Sequence, residues 1–264
     1  MTPTPAAQSG PRPGRLFLVP TPLDFGIDAD ASLSDCLPER TLATAAGLTH
    51  WIAENAKSAR AFLKRVQTRH PLAAPLQAQH IAELPRHVHK QGDHDPSTRF
   101  DARSLLAAAV AGQDMGLISE AGMPAVADPG ASVVRAAHAL GVPVVPLVGP
   151  VSLMLALAAS GLNGQHFAFV GYLPQKATAR AQRVRELEAV AQKTGQTQLF
   201  IETPYRNEAL LQGLLATLKP ATRLAVCCGV TLPQQAVFSA TVAEWKQRAP
   251  RLPLDLPAVF LVGR

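Results

Sequence analysis

GLISEAGMPAVADPGASVVRAAHALGVPVVPLVGP, residues 116–150, decides the fold. Met115 to Ser119 is a short apolar run that reads as a buried strand. Ser132 to Leu140 has helical spacing, with Gly141 placed to end it, and Val142 to Leu147 is apolar and rich in Val. Strand, helix, strand in that order is a βαβ unit, which builds a parallel sheet. The connection from Glu120 to Gly130 is long for its position, and ligands bind outside the carboxyl ends of parallel strands. Gly122 and Gly130 allow backbone conformations that a side chain would block. Pro124 and Pro129 stiffen the loop, and Glu120 and Asp128 set carboxylates beside backbone N–H groups. From these residues alone, an ordinary βα connection stays open beside a ligand site.

Upstream, Arg15 to Val19 (RLFLV) reads as a first buried strand stopped by Pro20-Thr21-Pro22. Residues 41 to 66 read as helical, with Trp51, Ile52, Phe62, Leu63 and Val66 roughly on one face. Residues 67 to 100 read as irregular, and Ala102 to Ala111 as a helix closed by Gly112. Downstream, Gly149-Pro150 breaks the chain, and the helix Ser152 to Ser160 follows with Ser152 as its expected N-cap. Then come a strand (Phe167–Tyr172), a charged helix (Thr178–Lys193), a strand (Gln198–Glu202) and a helix (Asn207–Leu218). The strand Arg223–Cys228, a short helix (Val242–Gln247) and a last strand (Ala258–Val262) complete the chain, and the turn-rich residues 229 to 241 suggest antiparallel pairing. The expected architecture is α/β. A disordered leader occupies residues 1–14. An N-terminal α/β domain with a parallel sheet spans 15–148, and a C-terminal α/β domain with a mixed sheet spans 149–264.

The 264 residues are 47% hydrophobic, enough for two modest cores, and no run approaches the ~20 apolar residues of a membrane span. The first residues lack an apolar signal-peptide core. Cys36, Cys227 and Cys228 form neither a disulfide framework nor a zinc pattern, and the last two read as inert thiols in a strand, which suits a reducing cytoplasm. A net charge of +6 suits a polyanionic partner such as RNA. With 5% aromatic residues, a stacking platform for bases is poorly supported. There is no P-loop and no GxGxxG, and neither Ser119 nor Ser160 sits in a His–Asp arrangement for hydrolysis. His87, His89, Asp93, His94 and Asp95 could ligate a borderline metal, but a polar surface loop accounts for them and no metal is expected. Arg180, Arg183, Arg185 and Lys193 decorate one helix with Glu186 and Glu188 among them, which describes a solvated face.

Six ordered segments carry a resemblance: LFLVPTPL (16–23), WIAENAKSARAFLK (51–64), GLISEAGMPAVADPG (116–130), VPVVPLVGPVSLMLALAASGL (142–162), FAFVGYLPQK (167–176) and LFIETPYRNEALLQGL (199–214). Together they resemble the class III S-adenosylmethionine-dependent methyltransferases with the tetrapyrrole methylase fold. Within these they resemble the branch that 2′-O-methylates a cytidine of small-subunit ribosomal RNA. The departures are local. DFGID (24–28) stands where that branch has GNL, Glu54-Asn55 with Lys57 where it has AED.R, Glu120 and Met123 where it has Asp and Thr, and GVTLPQQ (229–235) where it has a charged segment.

The resemblance implies two α/β domains with a cleft between them that holds S-adenosylmethionine. The implied cofactor contacts are Pro22, Glu120, Ala121, Gly122, Met123, Pro124, Gly149, Pro150, Val151, Ser152, Tyr172, Leu173, Pro174 and the backbone at Cys228. It implies Glu54 as the base for a ribose hydroxyl, with Lys57 orienting it or binding phosphate; by position alone both residues describe a solvated helix face. It also implies a ribosomal RNA substrate, a homodimer, no membrane association and a cytoplasmic location. Two alternatives accompany this reading. One is a precorrin-type C-methyltransferase, disfavoured because the first loop lacks GxGxGD. The other is a cofactor- or RNA-binding paralogue without activity, favoured by Asn55, Lys57 and residues 229–235.

Overall fold

A computed structural model describes residues 12–24, 32–85, 100–248 and 250–264. The cluster from His87 to Asp95 and most of the N-terminal leader lie outside these residues. The chain divides into two compact units, residues 1–150 and 151–264.

The first unit contains β1 (Leu16–Val19), α1 (Glu39–Gly47), β2 (His50–Ala53), α2 (Ala56–Gln67), β3 (His80–Glu83), α3 (Ala107–Val110, entered through a 3-10 turn over Ala102–Leu106), β4 (Met115–Ile118), α4 (Ala131–Ala139) and β5 (Val144–Pro146). All its strand pairs are parallel, in the order β3-β2-β4-β1-β5. Hydrophobic layers cover both faces. Phe17, Val19, Trp51 and Ile118 pack with Leu42 of α1 and Phe62, Leu63 and Val66 of α2. Leu16, Ile52, Met115 and Leu117 pack on the other side with Leu106, Val133 and Ala137.

The single helix expected over residues 41 to 66 is two helices with β2 between them, so Trp51 and Ile52 are strand residues pointing to opposite faces. The physical reason is burial on both sides. A strand inside a parallel sheet is apolar throughout and loses the alternation that separates it from a buried helical segment. β3 lies unannounced within residues expected to be irregular for a different reason: it is a four-residue edge strand with exposed ends and only Ile81 and Ala82 partly buried, too short to carry a pattern. β5 is shorter than Val142 to Leu147 because Pro143 and Pro146 confine it to the sheet edge, where missing N–H donors are tolerated.

The second unit contains α5 (Ser152–Ser160), β6 (Phe167–Tyr172), α6 (Ala177–Thr194), β7 (Thr197–Glu202), α7 (Asn207–Thr217), β8 (Arg223–Cys228), β9 (Ala236–Thr241), α8 (Val242–Arg248) and β10 (Ala258–Gly263). Its sheet runs β6-β7-β10-β8-β9 and is mixed: β6 and β7 are parallel, and the other neighbours are antiparallel. The antiparallel pairing suggested for residues 229 to 241 is that of β9 with β8. α5 packs on one face with Leu199, Ala225 and Leu261. α6, α7 and α8 cover the other through Leu187, Leu210, Leu214 and Trp245 around Phe200 and Phe260. Among the described residues, no helix is long and apolar enough to cross a membrane.

Candidate active site

The topology of the first sheet singles out one position. β2 and β4 are neighbours. The chain leaving β2 continues through α2 to β3 on one side, whereas the chain leaving β4 continues through α4 to β5 on the other. Loops that diverge at the carboxyl ends of adjacent strands leave a crevice, the usual ligand position in an open α/β sheet. The residues at that crevice are Glu54 and Asn55 after β2, and Ser119 and Glu120 after β4.

Asn55 occupies the position where the methyltransferase branch has an acid. It caps α2: its side-chain oxygen accepts from Lys57 N at 2.9 Å and Ser58 N at 3.4 Å. Asp and Asn cap helices comparably, so the exchange keeps the local structure. Glu83, at the end of β3, accepts from the Ala56 N–H at 2.6 Å. These anchors set Glu54 at the rim of the sheet. The Glu120 backbone N–H donates to its carboxylate. The Glu54 carboxyl is nonetheless pushed up to about 8, first by burial and then by repulsion from Asp128 and Glu120. Asp128, in the same loop as Glu120, is pushed up to about 7, by burial first and by Glu120 second. The Ser58 hydroxyl donates to Glu120 at 3.0 Å and ties the start of α2 to the loop after β4. A partly buried carboxyl poised near neutrality, with further carboxyls around it, is the environment of a group that exchanges a proton.

Three loops meet beside this cluster. Thr21 and Gly122 form an isolated antiparallel bridge, with Thr21 N–H donating to Gly122 at 2.9 Å and Gly122 N–H donating back at 3.1 Å. Gly122 sits at φ +78, where a side chain would be strained. Gly149 lies against the ring of Pro20: a Cβ there would come within 2.3 Å of Pro20 Cγ. The first loop is also held from below, where Arg65 of α2 pairs with Asp24 at 2.7 Å. A cavity of about 450 Å³ opens at this junction, with Thr21, Pro22, Lys57, Ser58, Arg65 and Glu120 among its walls. The structure therefore brings Pro22, Glu120 to Pro124, Gly149 and Pro150 to the same end of the first sheet as Glu54 and Lys57. Gly149→Ala should cost about 1–3 kcal/mol, because a proline ring cannot yield to an added methyl. Thermal melting checks it, and an unchanged melting temperature would mean that the loop gives way.

In the second unit, β6, β7 and β8 end on one edge. Tyr172 pairs with Ile201, and the next row joins Glu202, Ala258 and Cys228. Tyr172 to Pro174 and Cys228 thus share an edge. Val151, not Ser152, holds the N-cap position of α5, Ser152 is its first helical residue, and no side chain caps the helix. The capping expectation fails because Val151 already has the extended backbone of a cap. Burial drives Cys227 up to about 12 and Cys228 to about 11, so both thiols are inert, and both residues are fully buried.

Asp128, Ser58 and the Asp24–Arg65 pair belong to the site but not to the expected residues. Asp128 was visible as a carboxylate in a long loop, yet nothing in the sequence links it to Glu54. Ser58 and Arg65 follow an apolar helical period that hides which polar neighbours face the crevice.

The fold and this junction define a two-unit α/β protein whose candidate site lies at the carboxyl ends of a parallel sheet. Residues 46–246 match the family of Tetrapyrrole (Corrin/Porphyrin) Methylases, and the chain belongs to that family. It is similar to "Ribosomal RNA small subunit methyltransferase I" of Xylella fastidiosa (strain Temecula1), 32% identical over 216 residues, 81% of this chain and 67% of the relative. It is also similar to the protein of that name from Escherichia coli O157:H7, 32% identical over 151 residues, 57% of this chain and 51% of the relative. The matches to the first relatives span about half of those proteins' length. Among solved structures, the fold is shared with the methyltransferase CobJ, with a TM-score of 0.55, 18% identity and coverage of 95% and 94% of the two chains. It is shared too with the uroporphyrin-III C-methyltransferase of Thermus thermophilus complexed with S-adenosylhomocysteine, with a TM-score of 0.52, 18% identity and coverage of 95% and 98%.

Proposed function

We propose that the chain is an S-adenosylmethionine-dependent methyltransferase that methylates a ribose 2′-hydroxyl of small-subunit ribosomal RNA, in the cytoplasm and as a homodimer. The observation that carries this reading is Glu54, a partly buried carboxyl raised to about 8 at the diverging ends of β2 and β4, within a chain of this family. The residues present suit the cofactor chemically. The uncapped start of α5 offers N–H donors to a carboxylate, and Glu120 suits an ammonium group. The proposed cofactor contacts are Pro22, Glu120 to Pro124, Gly149 and Pro150 in the first unit, and Val151, Ser152, Tyr172 to Pro174 and Cys228 in the second.

When bound, the cofactor supplies an electrophilic methyl group on a sulfonium. Methyl transfer needs alignment of nucleophile, carbon and sulfur more than covalent help from the protein. The chain's own task is then to remove the hydroxyl proton and position the acceptor. Glu54 accepts that proton, and a base near 8 is far better matched to a hydroxyl at physiological pH than an ordinary carboxylate. Lys57, on the wall of the adjoining cavity, holds the acceptor's phosphate.

The test is transfer of labelled methyl from S-adenosylmethionine to undermethylated small ribosomal subunits. The expected product is label on a ribose of the small-subunit RNA. Binding of S-adenosylmethionine with no label in RNA overturns the substrate, and absence of binding by calorimetric titration overturns the activity.

A further inference from the structure

We propose that the outward face of α2 is a phosphate track for single-stranded RNA, running from the carboxylate cavity along Lys57, Arg60 and Lys64. It rests on the ribosomal RNA reading above and extends it to the surface that holds the backbone of the acceptor strand.

Positions 57, 60 and 64 fall within about 60° of arc on a helix that advances about 100° per residue, and span about 10 Å along its axis. Ala59, Phe62, Leu63 and Val66 point the opposite way, into the core. The three cations are exposed, and α2 contains no acidic residue. Among the described residues, no ion pair is recorded for Lys57, Arg60 or Lys64. Some cations elsewhere are engaged: Arg15 with Asp114, Arg183 with Glu186, Arg206 with Glu202, Arg248 with Glu244, and Arg65 on the flank of α2 itself with Asp24. Three adjacent cations left to solvent are held apart only by hydration, and a polyanion relieves their mutual repulsion while releasing its own counterions.

Position strengthens the case. Lys57 lines the carboxylate cavity, and Arg60 and Lys64 line a second hollow of about 300 Å³ with Leu76 and Gln77. Ala61 belongs to both walls, so the hollows lie on either side of one residue. The cavity next to Glu54 admits the reacting nucleotide, and the second hollow, with Ala61 and Leu76 on its walls, admits the sugar or base of a neighbour. The cations between them meet the connecting phosphates. A membrane surface is a poorer match, because an interfacial helix needs its apolar face free to enter lipid and that of α2 is committed to the core.

The test is binding of a labelled single-stranded oligoribonucleotide of about 20 residues to the full chain at several salt concentrations. Arg60→Gln/Lys64→Gln should weaken binding about 10- to 30-fold at about 0.1 M salt and lower the slope of log Kd against log salt by about 1.4, that is about 0.7 per lost phosphate contact. The melting temperature should stay at the wild-type value, because both side chains are exposed. Arg60→Lys/Lys64→Arg should restore affinity, and Arg183→Gln/Arg185→Gln on α6 should leave it at the wild-type value. Wild-type affinity and slope in the glutamine variant overturn the track, as does wild-type protein that does not bind the oligonucleotide. The methyl-transfer assay reports separately on the parent reading: label in RNA together with unchanged binding in the variant removes the track alone.

Discussion

Glu54→Gln should lower methyl transfer by about 10²- to 10⁴-fold, the range that a positioned general base contributes. The same substitution should make the protein more stable at alkaline pH. Both effects follow from one displaced proton equilibrium. Burial, then Asp128 and Glu120, raise the Glu54 carboxyl from its ordinary 4.5 to about 8. Between those values the folded protein keeps a proton that the unfolded chain gives up. Stability is therefore full below about 4.5 and is lost as pH rises through about 8. Glutamine has no proton to lose, so that decline disappears. At pH 9 the variant should exceed wild type by on the order of 1–2 kcal/mol, a figure reduced from the full linkage value because the carboxyl is only partly buried. Wild-type turnover should climb with pH through about 8 and then level, while residual turnover of the variant should lack that limb. Chemical denaturation at pH 6 and pH 9, together with a pH–rate profile, reads all of this. Turnover of the variant within threefold of wild type would remove Glu54 from the mechanism. Activity and stability moving in opposite directions would mark a site where stability is given up for function.

Trp51→Ala should destabilise the first unit by about 4–8 kcal/mol. Trp51 is fully buried in β2, and truncating a buried Trp leaves a cavity worth about 3–5 kcal/mol. Its indole N–H also donates to Gln79 Oε1 at 2.9 Å, and Gln79 is itself buried, so the truncation strands an acceptor at about 1–3 kcal/mol more. The ring lies over Gly116 of β4, where a Cβ would come within 2.4 Å of it. The absence of a side chain at position 116 is thus what lets the largest residue of β2 pack across two strands. A melting temperature lower by about 10–15 °C, followed by far-ultraviolet circular dichroism, is the expected result. A loss under about 1 kcal/mol would mean that residue 51 faces solvent, as it could on the surface of a helix.

Trp51 also marks the point where local sequence pattern no longer specifies the element. The stretch from Met115 to Leu147 was legible because its elements carry different signals: an apolar run, a helical period ended by glycine, and another apolar run. The strands and helices of the second unit other than β9 were legible for the same reason, to within a residue or two at most ends; β9 lay in a stretch read as turn-rich, of which only antiparallel pairing was expected. β2 was not, because Trp51-Ile52 sits between two helical periods and is apolar on both faces, which local pattern cannot tell from a continued helix. Asn55 looked like a lost catalytic acid and is a helix cap, a role shown only by the N–H groups of Lys57 and Ser58 turning toward it.

The candidate site divides along the same line. By itself the sequence determined the order of the motifs, the parallel sheet that follows from a βαβ unit, and the glycine- and proline-rich loops at its carboxyl end. Those are local matters of propensity and spacing. Only the tertiary structure decided that Glu54, Glu120 and Asp128 share one crevice, that burial and mutual repulsion hold protons on two of them near neutrality, and that Lys57, Arg60 and Lys64 lie beside it with no ion pair among the described residues. A pKa or an unpartnered charge is a property of the solvent and neighbours that the fold assembles around a residue, and parallel pairing of β2 with β4 draws those neighbours from segments far apart along the chain.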